Sequence, residues 1–305
     1  MSTPPVVVGV ALARAVDRLE VSGSETPRLD AEVLLAWVLG VDRSAMLAHP
    51  EASLGSGHVE RFDAALERRE AGEPVAYIRG MKEFHGSIIS VDPRVLIPRP
   101  ETETLVEVAL DRIRRDLTET IREEDAGPYT VWDIGTGSGA IAIAIANDLR
   151  RRRYDEAVRF HLSDASDDAL AVALINVVSH GLADRLTLAR GSLDEASPRP
   201  EGRVDMVVAN LPYVPTATLE DLPAAVRYEP AQALDGGIDG LHLVRELMPR
   251  LPVFVRSGGV VLLEIGSDQV VAVEAAAAEH ISEWSMTVWP DLSGAPRVVQ
   301  LDAPG

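Results

Sequence analysis

From Tyr129 to the end of the chain, short apolar runs alternate with segments whose apolar residues recur at helical spacing. The runs YTVWDIG, VRFHLSDA, LTLARGSL, VDMVVAN and GGVVLLEIG are predicted strands, and helical patterns such as DDALAVALINVVSHG lie between most of them. Apolar strands that alternate with helices are typical of a parallel sheet covered on both faces. The last two runs, SMTVWPDL and PRVVQLD, have no helix between them and predict an antiparallel hairpin at the sheet edge. The pattern therefore predicts an α/β, Rossmann-like domain with seven strands.

The N-terminal part of the chain predicts helices. The segment RLDAEVLLAWVLG places its apolar residues on one helical face before Gly40, and GHVERFDAALERREAG repeats the pattern before Gly72. We therefore predict a small helical bundle domain over residues 1–74, a linking β-hairpin over 75–98 and the α/β domain over 99–305. The hairpin prediction depends on five apolar residues at strand-like spacing: Val75, Tyr77, Phe84, Ile88 and Val91.

Composition excludes several functional classes. The chain has no Cys, which excludes disulfides, thiolate metal sites and cysteine nucleophiles, and its seven His show no metal-ligand spacing, so we expect no metal. The net charge of −19 disfavours stable binding to nucleic acid, because such binding depends on Lys and Arg that neutralise phosphates. No long uncharged apolar run indicates a membrane span or a signal peptide. We expect a soluble, cytoplasmic protein.

A glycine-rich turn follows the first predicted strand of the α/β domain. Gly135, Gly137 and Gly139 lie in DIGTGSGA, between a strand and a helix, where backbone can approach a ligand closely. The spacing differs from the G-x-G-x-x-G of dinucleotide sites, and no Lys follows as in a phosphate-binding P-loop. Asp133, at the strand end, would repel a pyrophosphate but would suit a cationic, amine-bearing ligand such as the methionine part of S-adenosylmethionine (SAM).

The next two predicted strands also end in candidate cofactor contacts. Asp164 lies where doubly wound folds place an acid for ribose hydroxyls, while Ser166 or Asp167 is better placed to cap the following helix. Ser192 and Leu193 could contact the adenine, although an ordinary strand-to-loop turn explains them equally well. The predicted cofactor set is Asp133, Gly135, Thr136, Gly137, Ser138, Gly139, Asp164, Ser192, Leu193 and Asn210.

The fourth predicted strand ends in VVANLPYVP, where an apolar run stops at Asn210. The amide side chain of Asn210 offers an acceptor and donors, Pro212 stiffens the turn, and Tyr213 offers a ring for stacking. This combination indicates methylation of a nitrogen conjugated to a π system, either an amide or a base amine. We predict Asn210 and Tyr213 as catalytic residues, and Asn210, Leu211, Pro212 and Tyr213 as substrate contacts.

Taken together, these segments resemble the HemK/PrmC family of release factor glutamine methyltransferases over nearly the whole chain. Beside the motifs above, the resemblance includes LIPRPETE, YEPAQALDGGIDGLHLVREL, GGVVLLEIGSDQ and DLSGAPRVV. It implies a SAM-dependent enzyme that methylates the side-chain nitrogen of the glutamine in the Gly-Gly-Gln motif of class 1 peptide chain release factors. It also implies that the helical domain docks the release factor, and we expect a monomer.

Two departures from the family pattern bear on these expectations. Position 211 is Leu, where the family usually has Pro, and the Gly-Ser-Leu segment replaces an acid followed by an aromatic residue. Asn-Leu-Pro-Tyr also resembles the motif of rRNA adenine dimethyltransferases. The alternatives are therefore a paralogue that methylates another protein or a small-molecule amide, an adenine N6 methyltransferase acting on RNA, and a binding protein that has lost catalysis.

Overall fold

A computed structural model describes residues 6–118 and 127–305 of the chain. The chain divides into two compact units. One comprises the residues up to Met81 together with Leu222–Tyr228, and the other comprises Lys82–Asp221 and Glu229–Gly305. The polar loop that REEDAGP predicts lies outside the described residues, except for Gly127 and Pro128. In the described ranges, no helix combines the length and the apolar character needed to cross a membrane.

Twelve α-helices and nine strands lie in the described residues. The helices are α1 (Val8–Val21), α2 (Pro27–Leu39), α3 (Arg43–Leu47), α4 (Ser56–Glu70), α5 (Val75–Arg79), α6 (Glu103–Thr118), α7 (Ala140–Arg151), α8 (Asp167–Ser179), α9 (Ala224–Arg227), α10 (His242–Leu247), α11 (Leu251–Phe254) and α12 (Val270–His280). The strands are β1 (Met81–Phe84), β2 (Ser87–Ser90), β3 (Tyr129–Ile134), β4 (Val158–Asp164), β5 (Leu186–Arg190), β6 (Val204–Ala209), β7 (Val255–Glu264), β8 (Ser285–Pro290) and β9 (Pro296–Asp302).

The first unit is a helical bundle with its own apolar core. Helices α1, α2 and α4 contribute most of the buried side chains, and Met46 of α3 and Ile78 of α5 complete the core. Helix α2 ends at Gly40 in the left-handed conformation, as the sequence predicts. Apolar residues at helical spacing face this core because each helix is stabilised mainly by burying one face. The largest of these side chains are Leu19, Leu34, Leu35, Phe62 and Leu66.

The predicted start of the linking hairpin is wrong. Val75–Arg79 forms the helix α5, and the hairpin itself consists of the shorter strands β1 and β2. Pro74 precedes the helix with φ −59°, and Gly80 ends it in the left-handed conformation. The adjacent residues Tyr77 and Ile78 are both buried, which one helical turn permits and a strand with one buried face does not. Val75 and Tyr77 alone could not distinguish these two structures.

In the described part of the second unit, seven strands form one sheet in the order β5-β4-β3-β6-β7-β9-β8. Strands β3 to β7 pair in parallel, whereas β9 pairs antiparallel with both β7 and β8. The predicted α/β fold and its terminal hairpin are thereby confirmed. Chain order runs outward from β3 to β5 on one side and from β6 to β7 on the other. The carboxyl ends of β3 and β6 therefore lie side by side at a switch point, where doubly wound sheets bind ligands.

Candidate functional site

A cavity with a volume of about 180 Å³ lies at this switch point, in the second unit. Segments that follow β3, β4, β5 and β6 line it, together with the segment between β2 and α6 and the loop before α10. It brings together ten of the residues that the sequence predicts for the site. These are Gly135, Thr136, Gly137, Ser138, Asp164, Ser192, Leu193, Asn210, Leu211 and Pro212. The other three predicted residues, Asp133, Gly139 and Tyr213, lie outside the cavity lining.

The glycine turn is held by hydrogen bonds within the protein. The amides of Gly135 and Thr136 both donate to the carbonyl of Ser163, at 2.8 and 2.9 Å. The amide of Gly137 donates to the Asp164 carboxylate at 2.9 Å. The turn then leads directly into α7, which begins at Ala140. Because these three amides are already bonded, the turn offers a ligand its close-lying backbone at these positions.

Asp164 is fixed at the end of β4. One carboxylate oxygen accepts from the amide of Gly137, and the other accepts from the amide of Ser166, each at 2.9 Å. Ser166 itself caps α8 by accepting from the amide of Ala169, so Asp164 is not needed as the cap. Burial raises the pKa of Asp164, and the amides of Ser166 and Gly137 oppose that shift. The result is a rigid carboxylate in the cavity wall with lone pairs available for further donors.

Asp133 lies beneath the glycine turn and is fully buried. Its Oδ2 accepts from the hydroxyl of Thr136 at 2.7 Å, and its Oδ1 has no hydrogen-bond partner in the described ranges. Burial raises the pKa of Asp133 to about 7, with a smaller contribution from the nearby charge of Asp164. Asp133 is therefore placed to fix the turn through Thr136, and its charge depends on pH near neutrality.

Asn210 follows β6 immediately beside the glycine turn, since Ala209 pairs with Ile134 in the parallel ladder. Its Nδ2 donates to the hydroxyl oxygen of Thr102 at 3.2 Å. Thr102 is buried and lies in the segment between β2 and α6, so a residue far away in sequence holds the amide. This contact leaves the Oδ1 atom of Asn210 as an acceptor.

The backbone of the turn after Asn210 is held by a glycine-rich loop. Val214 and Asp235 form a bridge in which the amide of Gly236 donates to the carbonyl of Val214 at 2.8 Å. The Nε2 atom of Gln269 donates to the carbonyl of Tyr213 at 3.0 Å. Gly240 packs so closely that a Cβ atom there would lie 2.1 Å from that same carbonyl oxygen. The segment DGGIDG is thus a support for Asn-Leu-Pro-Tyr.

Leu211 points into the protein. It is 4% exposed, belongs to the apolar core of the sheet, and its Cδ2 would lie 3.2 Å from a Cβ atom built on Gly135. The departure from the family's usual Pro therefore adds an apolar side chain against the glycine turn and leaves the backbone carbonyl of residue 211 in place.

The structure adds residues around the site that are not in the set predicted from the sequence. Arg99 pairs with Glu229, a buried carboxylate that also accepts from the amide of Ile97 at 2.9 Å. Burial raises the pKa of Glu229, and the charge of Arg99 opposes that shift. This pair joins two loops that line the cavity, 94–98 and 230–233. Asn176 of α8 was missed entirely; its Nδ2 donates to the carbonyl of Ser138 in the glycine turn at 2.9 Å.

Two further ionisable groups lie near the Asn210 turn. Burial raises the pKa of Tyr213 to about 12, and the charge of Glu264 contributes to the same shift. Glu264 ends β7 and is 2% exposed. The phenol of Tyr213 therefore stays neutral over the physiological pH range, and a buried carboxyl lies close to the candidate site.

Comparisons with known proteins bear on both units. Residues 10–80 match the family described as the PrmC N-terminal domain. These residues include α5, which we had predicted as part of the hairpin.

Relatives match along almost the whole chain. A release factor glutamine methyltransferase from Moorella thermoacetica is 43% identical over 94% of this chain and 95% of that relative. One from Koribacter versatilis is 34% identical over 95% of this chain and 96% of that relative.

Among solved structures, the hMettl16 catalytic domain in complex with MAT2A 3′UTR hairpin 6 is similar with a TM-score of 0.52. It is 14% identical to this chain, and the similarity covers 80% of this chain and 81% of that one. At this level of identity the likeness concerns the fold alone.

Proposed function

This chain belongs to the family of release factor glutamine methyltransferases, and on that premise we propose that it transfers a methyl group from SAM to the side-chain amide nitrogen of a release factor glutamine. The glutamine is the one in the Gly-Gly-Gln motif of class 1 peptide chain release factors. The single observation that best supports this proposal is the position of Asn210, in a cavity wall beside the glycine turn, with its Oδ1 left as an acceptor.

The cavity residues fit SAM as the cofactor. Asp164 has both oxygens oriented by backbone amides and retains lone pairs that can accept ribose hydroxyls. Gly137 has a φ of +55° with no atom within 4 Å of the position of a Cβ, so its backbone is open to close approach. Ser192 and Leu193 line the adenine side, where Leu193 supplies an apolar surface. When bound, SAM supplies a methyl group on an electrophilic sulfonium.

The chemistry required of the protein is orientation. An amide nitrogen is a poor nucleophile because its lone pair is delocalised into the carbonyl group. The Oδ1 atom of Asn210 and the backbone carbonyl of Leu211 accept the two N–H bonds of the glutamine amide and turn its nitrogen towards the methyl donor. Fixing two reactants in this way can contribute several kcal/mol to catalysis. Tyr213 follows in the same turn just beyond the cavity lining, and its role as a substrate contact stays a prediction. Its phenol stays neutral because its pKa is raised to about 12.

The helical unit supplies substrate docking in this proposal. We assign the helical unit, which ends after α5, to release factor docking, the hairpin of β1 and β2 to the link and residues 99–305 to the catalytic domain. A monomer in the cytoplasm remains our prediction.

The direct test uses labelled SAM with three acceptors: a class 1 release factor, its Gly-Gly-Gln variant with Gln→Ala, and ribosomal RNA. We expect label on the wild-type release factor only, and N5-methylglutamine after digestion and mass spectrometry. Label on RNA alone would overturn the proposal in favour of adenine methylation. Label on no acceptor would favour a paralogue with another substrate, or a protein that binds without catalysis.

A variant of Asn210 tests the residue that supports the proposal. We expect Asn210→Ala to abolish methyl transfer while it retains SAM binding, measured by calorimetry. Turnover near that of the wild type would show that Asn210 does not orient the substrate amide.

A further inference from the structure

One wall of the cavity is a short segment that follows β2 and has no helix or strand of its own. We call residues 91–98 the strap. Four residues of the strap line the cavity: Arg94, Val95, Leu96 and Pro98. The proposed chemistry gives the strap no role, yet a wall that meets the ligand must keep its position for the ligand to bind.

The strap is stiffened from within. Pro93 and Pro98 fix φ at two of its positions. Between them, the amide of Val95 donates to the carbonyl of Asp92 at 3.1 Å. The guanidinium of Arg94 donates to the carboxylate of Asp92 at 2.9 and 2.6 Å. These local bonds give the strap its shape, and its position depends on contacts with other segments.

Asn176 of α8 anchors the strap at its first end. Ser90 immediately precedes the strap; its amide donates to Oδ1 of Asn176 at 2.7 Å, and its carbonyl accepts from Nδ2 at 2.9 Å. Nδ2 also donates to the carbonyl of Ser138, in the glycine turn, at 2.9 Å. Asn176 is fully buried, and these three bonds use its carbonyl and both of its amide protons. The strap is thereby tied to the glycine turn, which lines the same cavity.

Glu229 anchors the strap at its other end. Its Oε2 accepts from the amide of Ile97 at 2.9 Å, and its Oε1 accepts from the guanidinium of Arg99, which follows the strap. The side chain of Glu229 is 1% exposed, so both charge-assisted bonds are shielded from water. Glu229 also immediately precedes the loop 230–233, which lines the cavity. The second anchor therefore joins the strap to another part of the cavity wall.

We propose that Asn176 and Glu229 are positioning residues that hold the two ends of the strap and so keep this wall of the cavity in place before the cofactor binds. This inference rests on the proposed function, in which the cavity binds SAM. A wall that is fixed in advance lowers the ordering cost that binding must meet. Because the strap is stiff, release of either end displaces the whole wall, and the two anchors act on SAM affinity as one unit.

The first test weakens each anchor by exchanging one atom without changing the shape of the side chain. Asn176→Asp places an acceptor against the carbonyls of Ser90 and Ser138, and Glu229→Gln places an NH₂ group against a donor. We expect each variant to raise the Kd for SAM, measured by calorimetry, about 10-fold. An unchanged Kd in either variant would overturn the role of that residue.

The double variant tests whether the two anchors hold one body. Substitutions at independent sites have additive effects on the free energy of binding, which would raise the Kd about 100-fold in the double variant. If either substitution already displaces the strap, the second has little left to release. We therefore expect a rise of about 10-fold in the double variant, close to that of either single variant. A rise of about 100-fold would refute the shared strap.

Kinetics separate a positioning role from a loss of folded protein. A partly unfolded variant has fewer active molecules, so its kcat falls and its KM for SAM does not change. Displacement of the strap instead raises the KM for SAM about 10-fold and changes kcat at saturating SAM by less than about 3-fold, because the interaction removed is one that holds the cofactor. A lower kcat with an unchanged KM would contradict the inference.

Two other one-atom substitutions are the matched controls. Asp116 is a buried carboxylate that accepts from Arg112, and Asn147 is a buried amide of α7 that donates to Ser87. Neither residue belongs to the lining of the cavity. Asp116→Asn and Asn147→Asp should lower the free energy of unfolding and leave the Kd for SAM unchanged. A rise in Kd equal to that of the anchor variants would show that the effect is not specific to the strap.

Hydrogen exchange without any ligand separates this inference from the proposed function. In ¹⁵N NMR spectra of the wild type, the amides of Ser90 and Ile97 should exchange slowly with water, because Asn176 and Glu229 accept from them. In Asn176→Asp, the Ile97 amide should exchange faster although its own acceptor is intact. Unchanged exchange at Ile97 would refute the shared strap, whatever the cavity binds. A wild type that shows this exchange pattern but binds no SAM would refute only the proposed cofactor.

Discussion

The contact between Gly240 and the Asn-Leu-Pro-Tyr turn provides a sharp test of how the site is supported. In Gly240→Ala, the new Cβ would lie 2.1 Å from the carbonyl oxygen of Tyr213 and 2.5 Å from Nε2 of Gln269. Non-bonded heavy atoms prefer a separation of about 3.5 Å, so the backbone must move by more than about 1 Å. Gly240 also has a φ of +78°, where L-residues are strained.

The expected loss of stability can be estimated from these contacts. A left-handed φ costs about 1–2 kcal/mol for an L-residue, and breaking the hydrogen bond from Gln269 to the Tyr213 carbonyl costs about 1 kcal/mol. The lower entropy of the unfolded Ala variant returns about 0.5 kcal/mol. We therefore expect Gly240→Ala to lower the free energy of unfolding by about 1.5–2.5 kcal/mol. Because the turn that bears Asn210 shifts by about 1 Å, kcat should also fall about 100-fold.

Gly294→Ala is the matched control. Gly294 has a φ of +87° and no atom within 4 Å of the position of a Cβ, so this variant has only the backbone strain. Urea unfolding followed by circular dichroism and methylation of a release factor should show a smaller loss of stability and an unchanged kcat. If the two variants lose equal stability and retain equal kcat, the support that we assign to Gly240 is wrong.

Three other predictions concern ionisable groups of the site. Asp164→Asn removes one oxygen that accepts a hydrogen bond from a backbone amide, and it removes the negative charge offered to the ribose. The Kd for SAM, measured by calorimetry, should therefore rise about 10- to 100-fold. An unchanged Kd would refute the ribose contact. Burial raises the pKa of Glu264 from 4.5 to about 7, so between these pH values the folded state retains a proton that the unfolded state releases. The free energy of unfolding should therefore fall as pH rises through this interval, by up to about 1.4 kcal/mol per pH unit relative to Glu264→Gln. Parallel stability profiles of these two proteins would contradict the shift. Tyr213→Phe keeps the ring, and because the phenol is neutral, kcat should fall by far less than the roughly 100-fold expected on loss of a general acid or base.

Local patterns in the sequence were sufficient for the parts of the site that belong to single strand ends. The glycine turn, Asp164 and Asn210 each follow an apolar strand, and parallel strands bring their carboxyl ends to one edge. The same local information failed at Val75–Arg79, because two apolar residues at spacing two are compatible with a strand and with one turn of helix. The burial of two adjacent side chains identifies this segment as a helix, and burial is a property of the folded unit.

By itself, the sequence determined the α/β fold, the candidate cofactor turn and the position of Asn210, since strand periodicity and turn chemistry act over a few residues. Only the tertiary structure decided which groups hold these residues. Thr102 reaches Asn210 across 108 positions of sequence, and Glu229 reaches Arg99 across 130. Such partners are selected by sheet order, register and loop packing, and the spacing of residues along the sequence does not reveal these three features. The orientation of the Asn210 amide, and with it the chemistry that the residue offers, is therefore a consequence of the tertiary fold.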